Sequence, residues 1–460
     1  MLDSRTAQDV ISAGCDLGAS FVDIYVERTV YEAITLRDSE VKDIKTGTDF
    51  GIGIRAIFGH KSVYGYTNIA EKEELLRILR LICEMDKTNK TQSPRTLSHR
   101  KIAAQMQIER GLDKPSPYEE KIAFLRNVDK AARKNSKVSQ FDALSMQKWQ
   151  AIQVFDSEGL AIEDERHAIR IPMTVITADG SKQARAFAGP GGSRGWELTK
   201  SINPDEVAET LVKRALTVLN ADPCPAGKMP VVIDNGFGGV IFHEACGHLL
   251  ETTSVEKKAS VFHDKMGEMI ASSVVSAVDD GTIPGLWGSL SVDDEGMPTQ
   301  KTQLIKDGRL NSFLVDRLGS MKTGYERTGS GRRQSYKFAP ASRMRNTYID
   351  AGKDDMQDMI ASVPFGLYAK VMGGGSVSPG TGDFNFAVEE AYIIKDGKIG
   401  KAVRGATLIG SGPQVLKSIS MVGSNLELSP GMCGSVSGSI NVTVGQPSIK
   451  VDEILVGGEA

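Results

Sequence analysis

The chain has 460 residues, a formal net charge of −3, 40% hydrophobic residues and 25% charged residues. These are the proportions of an ordinary globular protein with room for two or three domains, and the charge implies no bulk attraction to nucleic acid. No run of about twenty apolar residues occurs, so no membrane span is expected. Five scattered cysteines and an opening stretch without a charged-then-apolar signal pattern point to a reducing cytoplasm.

Taken in chain order, Ala7, Val10, Ile11 and Gly14 form an apolar stripe behind Ser4 and predict a first helix. Val22, Ile24 and Val26 alternate with Asp23, Tyr25 and Glu27, the pattern of a half-buried strand, and further strands are expected at residues 31–36 and 51–58. Leu75, Ile78, Leu79 and Ile82 mark one face of a helix, and the polar stretch 87–98 reads as linker. Ser116, Pro117 and Glu119 look like a cap, a first-turn proline and a capping glutamate. Strands follow at 143–155 and 160–177, with turns at 156–159 and 178–181. A helix begins at Asn203-Pro204, with Val207, Leu211, Ala215 and Val218 turned inward. The Pro- and Gly-containing stretch 222–227 is the best boundary, before an apolar strand at Val231, Val232 and Ile233.

Beyond that strand, turn residues recur at 293–296, 307–308, 373–375 and 396–397, the look of antiparallel β-structure. The glycine runs at 236–239 and 373–375 are not followed by the Gly-Lys-Ser/Thr of a phosphate loop. Strands and helices mix without strict alternation, which predicts an α+β fold with largely antiparallel sheets. The expected organisation is an N-terminal α/β segment (1–86), a linker (87–115), a central α/β segment (116–221), a short linker (222–229) and a β-rich C-terminal domain (230–460).

The most informative stretch is His243-Glu244-Ala245-Cys246-Gly247-His248, which holds two of only six histidines. Two imidazoles suit a zinc ion, and an adjacent carboxylate suits a general base. The histidines stand five apart, about 140° around a regular helix, so both reach one metal only if the helix is distorted. A π-bulge would do this, and Gly247 is a natural place for a distortion. Candidate third ligands are Glu251, one turn on, Cys246, His263, Asp264 and the distant Cys433, whose neighbours Gly431 and Gly434 would permit close backbone approach. Cys246 more often behaves as a small hydrophobe. Residue chemistry alone does not choose between Glu251 and Cys433.

Several blocks, in order, carry a family resemblance: 243–248; 329–336 (Gly-Ser-Gly-Arg-Arg-Gln-Ser-Tyr) with 343–347 (Arg-Met-Arg-Asn-Thr); 403–412; and 431–434 with 445–447 and 456–458. Together they resemble the TldD branch of the TldD/PmbA (TldE) metalloproteases over nearly the whole length. The resemblance implies zinc held by His243, His248 and Cys433, with Glu244 as general base. It also implies unfolded or extended peptides as substrates, and a dimer, often a heterodimer with a TldE/PmbA-like subunit. The alternative is a non-catalytic peptide-binding or scaffold subunit of such a complex. After Cys433-Gly434 the family usually continues with Lys and a Gly-Gln pair. Here the chain reads Ser435-Val436-Ser437-Gly438, which leaves the ligand in place and alters its surroundings.

Arg332, Arg333, Arg343 and Arg345, with Tyr336 and Tyr348 interleaved, read by default as a solvated basic face, and the resemblance moves them toward the active cleft. Asp293, Asp294 and Glu295 read as surface turn residues.

Overall fold

The computed structural model describes residues 1–84, 93–101, 116–378 and 380–459. Most of the linker expected at 87–115 lies outside the described residues. The first helix spans Ser4–Asp16, capped by Asp3, whose carboxylate accepts from Thr6 N. The strand Phe21–Arg37 turns at Asp38 and Ser39 (φ 51° and 65°) into the antiparallel strand Glu40–Phe58. The runs expected at 31–36 and 51–58 are therefore parts of one long hairpin. Residues 40–50 are exposed or half-buried on both faces, so they carry no apolar alternation to announce a strand.

The strand Val138–Asp156 pairs antiparallel with Phe21–Arg37, from Asp23↔Asp156 to Arg37↔Asp142. The N-terminal and central segments thus share one nine-stranded sheet. Helices Ser4–Asp16 and Lys72–Cys83 cover one end of it, packing Val10, Ile11, Leu75 and Leu79 on Val22, Ile24 and Ile54. Helices Tyr118–Ala132 and Pro204–Leu219 cover the other end, with Leu125, Val128, Leu211 and Ala215 against Ile34, Phe141 and Val175. The cap expected from Ser116 does not form: Pro117 occupies the cap position, without a side-chain bond. Asn203 does cap its helix, accepting from Asp205 N.

In the C-terminal region, Gly227–Ile233 lies inside an eight-stranded sheet, parallel to Phe365–Val377 and antiparallel to Ile449–Gly457. A six-stranded sheet runs in the order Arg309–Leu310, Lys301–Lys306, Ala277–Asp280, Asn346–Ile349, Gly438–Gln446, Glu427–Ser435. Most pairings are antiparallel, as expected for this α+β fold. The parallel pairs are the exceptions, and they require long crossovers. The crossover that leaves Ile233 and returns at Phe365 contains the histidine motif. Gly373, Gly374 and Gly375 are not a turn, as read from the sequence, but lie within Phe365–Val377, where the register slips between Met372 and Gly375. Glycine in a strand marks such a bulge as readily as a turn.

The largest core cluster joins Val231 and Leu367 of the eight-stranded sheet to Ile440 and Val442 of the six-stranded sheet, with Phe242, Ala245 and Leu249 between them. The motif therefore fills the seam between two sheets. Among the described residues, no helix is long and apolar enough to cross a membrane.

Candidate metal centre

A 3-10 turn at Gly236–Gly239 leads into the short helix Val240–Ala245. Gly239 is required there, because a Cβ would lie 2.4 Å from the backbone of Gly445. The helix stops at Cys246 (φ −136°, ψ −52°), and a second 3-10 turn, Gly247–Leu250, follows. The distortion needed to bring the histidines together is therefore a full break, not a π-bulge. It falls at Cys246, and Gly247 serves packing: a Cβ there would sit 2.1 Å from the Met344 sulfur. The break re-aims His248, so that the two imidazoles meet edge to face, 5.0 Å between centroids.

The third group comes from the far end of the chain. Cys433, on the edge strand Glu427–Ser435, places Sγ 3.2 Å from His243 Nε2 and 3.2 Å from His248 Nε2. One donor atom from each of the three residues lies within 4.8 Å of the others. The flanking glycines are not needed for this approach: a Cβ on Gly434 meets open space and one on Gly431 makes only ordinary contacts.

The other candidates take different places. Glu251 Oε2 lies 3.1 Å from His248 Nδ1, on the side of the ring away from Cys433. Cys246 is fully buried, and burial drives its thiol far up, which keeps it a neutral hydrophobe. His263 Nδ1 lies 2.9 Å from Ser260 O, and Asp264 pairs at the surface with Lys265.

Glu244, half-buried, puts a carboxylate oxygen 3.8 Å from His248 Nε2. Burial pushes its carboxyl above the usual range, against the pull of both imidazoles. Burial likewise raises the Cys433 thiol, but His243 and His248 more than reverse this and hold it down at about 3. His248 is lowered by burial, yet Glu251 and the thiolate outweigh that and keep its proton well above the ordinary imidazole range.

Two imidazoles and a thiolate converging in a buried site fit a zinc ion, which takes the place of the protons these donors otherwise share. Zinc bonds of about 2.1 Å to nitrogen and about 2.3 Å to sulfur separate those atoms by about 3.6 Å, a small outward step from the present arrangement.

The basic cluster and the acidic triplet are the features that sequence reasoning misplaced. Arg332, Arg333, Arg343 and Arg345 are all buried, and so are Asp293, Asp294 and Glu295. Charged residues are almost never fully buried unless paired, and most of these are paired. Arg345 binds Asp279 at 2.6 Å, and Glu295 meets Arg55 at 2.9 Å and Arg327 at 3.1 Å. Arg343 donates to Cys433 O at 2.5 Å, Ser437 Oγ at 3.0 Å and Gly438 O at 2.9 Å, with Nε 3.8 Å from Glu251. It thereby holds the hairpin that presents Cys433. Tyr336 reaches the N-terminal sheet, where its hydroxyl lies 3.1 Å from Asp49, and Tyr348 is buried in the six-stranded sheet. The advance signals were the family resemblance, which moved the arginines toward the cleft, and the density of charge in blocks that also contain glycine and serine.

Three family models match the chain consecutively: the PmbA/TldA metallopeptidase domain 1 over residues 22–85, the central domain over 113–219 and the C-terminal domain over 226–458. The chain belongs to the TldD/PmbA metallopeptidase family. It is 36% identical to the metalloprotease TldD homolog of Haemophilus influenzae, covering 99% of this chain and 97% of that protein. It is 27% identical to the zinc metalloprotease TldD homolog of Saccharolobus solfataricus, over 96% of this chain and 98% of that one. Its fold is that of TldE from Thermococcus kodakarensis (TM-score 0.75, 20% identity, 98% and 100% coverage). The same holds for a putative modulator of a DNA gyrase from Thermotoga maritima (TM-score 0.78, 19% identity, 95% and 96% coverage).

Proposed function

We propose that this chain is a zinc-dependent peptidase acting on unfolded or extended peptides, with His243, His248 and Cys433 as metal ligands and Glu244 as general base. The observation that carries the reading is the convergence of the three donor atoms within 4.8 Å beside the Glu244 carboxylate. When bound, zinc supplies Lewis acidity toward a peptide carbonyl and makes a water molecule acidic enough to attack near neutral pH. Glu244 Oε2 accepts the proton of that water and returns it to the departing amine nitrogen. Glu251 fixes the tautomer and orientation of His248 through Nδ1, and Arg343 fixes the Cys433 carbonyl.

A groove of about 680 Å³ runs beside Phe237, Gly373, Gly374 and residues 427–430 of the edge strand that carries Cys433. This strand is the last of its sheet, and although Arg170, Trp287 and Arg343 donate to the carbonyls of Pro430, Gly431 and Cys433, the stretch 427–429 carries no such bond among the described residues and favours an extended chain bound through its backbone. Pairing with a second, TldE/PmbA-like chain and a cytoplasmic location belong to the same proposal.

The test is metal content and hydrolysis of an unstructured peptide by the native protein, Cys433→Ala and Glu244→Gln. The reading expects near-stoichiometric zinc in the native protein, its loss in Cys433→Ala, and retained zinc with at least about a hundredfold loss of hydrolysis in Glu244→Gln. Zinc retained by Cys433→Ala would overturn the ligand set. A zinc-loaded native chain that cleaves nothing, alone or with a TldE-like partner, would leave a peptide-binding subunit as the better account.

A further inference from the structure

On the strand next to Cys433 lies a second, smaller feature that the metal centre does not use. A cavity of about 70 Å³ is walled on one side by Ser439, Ile440 and Asn441, and Ile440 is the direct cross-strand partner of Cys433. Lys148, Arg166, Arg332 and Arg333 line it against a single carboxylate, Asp294.

That carboxylate is already committed. Asp294 pairs with Arg166, which also lies 3.3 Å from Asp164, and its second oxygen accepts from Arg333 N at 2.6 Å. The Arg333 guanidinium lies 4.3 Å above the Tyr25 ring and donates to Asp294 O. Two cations lack a direct ion pair among the described residues. Arg332 is only 5% exposed and makes one hydrogen bond, from Nη1 to Met344 O at 2.6 Å. Among the described residues its Nε and Nη2 have no protein acceptor, and no carboxylate lies within ion-pair distance of it. The Lys148 ammonium has neither hydrogen bond nor ion pair among the described residues. Burial pulls the Arg332 guanidinium down to about 10, against the attraction of Asp294 and with neighbouring Arg343 and Arg166 adding to the fall. Lys148 is half-buried, and burial lowers it as well, against the pull of Glu27 and Asp294.

Buried charges are kept only where they are paired. A guanidinium with two parallel N–H groups free, an ammonium beside it and room for a few heavy atoms is the fork-and-point arrangement that holds an oxyanion. We propose that this cavity binds one small oxyanion, of carboxylate or phosphate chemistry, between Arg332 and Lys148. Two sources share that chemistry: the C-terminal carboxylate of a peptide, and a free inorganic anion. Neither requires the metal, so the site stands independently of the peptidase reading.

The experiment is calorimetric titration of inorganic phosphate into the full chain and into Lys148→Gln. A parallel titration uses a short peptide as its free acid and as its C-terminal amide. The Lys148 ammonium makes no hydrogen bond among the described residues, so its replacement leaves folding intact, which circular dichroism checks. Arg332→Lys, which keeps the charge and loses the fork, is the second variant. The proposal expects one phosphate per chain, bound at least about tenfold more weakly by Lys148→Gln and by Arg332→Lys. A free-acid peptide that binds about tenfold tighter than its amide, and loses that preference in Lys148→Gln, identifies a peptide C-terminus as the occupant. Equal binding of acid and amide, with phosphate binding still sensitive to Lys148, identifies a free oxyanion. Phosphate and peptide binding that are absent, or indifferent to both substitutions, overturns the proposal.

Discussion

Glu251 offers the sharpest probe of how the proposed metal centre is held. It is buried, and among the described residues its carboxylate has one hydrogen-bond partner, His248 Nδ1 at 3.1 Å, while its other oxygen stands 3.8 Å from Arg343 Nε. Glu251→Gln keeps the shape and one acceptor but removes the negative charge. A carboxylate behind a ligating imidazole raises its basicity and locks its tautomer, and losing such a partner costs about 10- to 100-fold in metal affinity, which is about 1.4–2.8 kcal/mol. The same carboxylate raises the proton affinity of His248, and proton and metal compete for Nε2. At low pH the native site must shed a more tightly held proton, which cancels part of its advantage. The affinity ratio of native to Glu251→Gln protein is therefore smallest in acid, rises with pH and levels off once both imidazoles are neutral. Competition with a zinc-binding dye from about pH 6 to about pH 9 reads this directly. A ratio near one throughout, or one that falls with pH, would refute the reasoning.

Three further outcomes follow from the same coordinates. Asp316 is buried, accepts from Thr252 Oγ1 and Gly319 N, and is pushed up to about 7 by burial and then by Glu295. Because its folded value is raised, its contribution to stability is complete below its ordinary range and is lost as pH rises from about 4 to about 7, at up to about 1.4 kcal/mol per pH unit. Asp316→Asn, which mimics the protonated form, should come closest to the native protein below about pH 4 and exceed it by a margin that grows up to about pH 7 in thermal stability; a pH-independent gap refutes this. Arg55 is buried, donates to Asp23 at 2.6 and 3.0 Å and pairs with Glu295 at 2.9 Å. Arg55→Met should cost about 3–5 kcal/mol by stranding Asp23, with Asp23→Asn on the same chain restoring much of it, as read by urea unfolding. Gly247→Ala drives a methyl into Met344 and should cost about 1–3 kcal/mol while weakening zinc binding, because His248 rides on the displaced turn; unchanged zinc affinity would break that link.

What the sequence determined by itself was local. The apolar stripes of Ser4–Asp16 and Lys72–Cys83 name their own buried faces, because helical periodicity depends only on spacing, and that of Pro204–Leu219 does so at Leu211 and Ala215 while Val207 and Val218 stay half-buried. The same holds for the turns at Asp307-Gly308 and Asp396-Gly397, where positive φ is written into the residue types. The histidine pair and its glutamate were legible as a site, and their five-residue spacing already demanded a distorted helix. The tertiary structure added what spacing could not. Residue chemistry left Glu251 and Cys433 as equals and only the family resemblance pointed to Cys433, since a third donor 185 residues from His248 is placed by sheet register and not by spacing. The fold puts Cys433 opposite Ile440 and against both imidazoles, and turns Glu251 to the far side of His248. It also buries the arginines and acids that look solvated in a linear string. A charge is expensive to bury only until a partner arrives, and here the partners come from distant segments: Arg55 for Glu295, Arg166 for Asp294, Asp279 for Arg345.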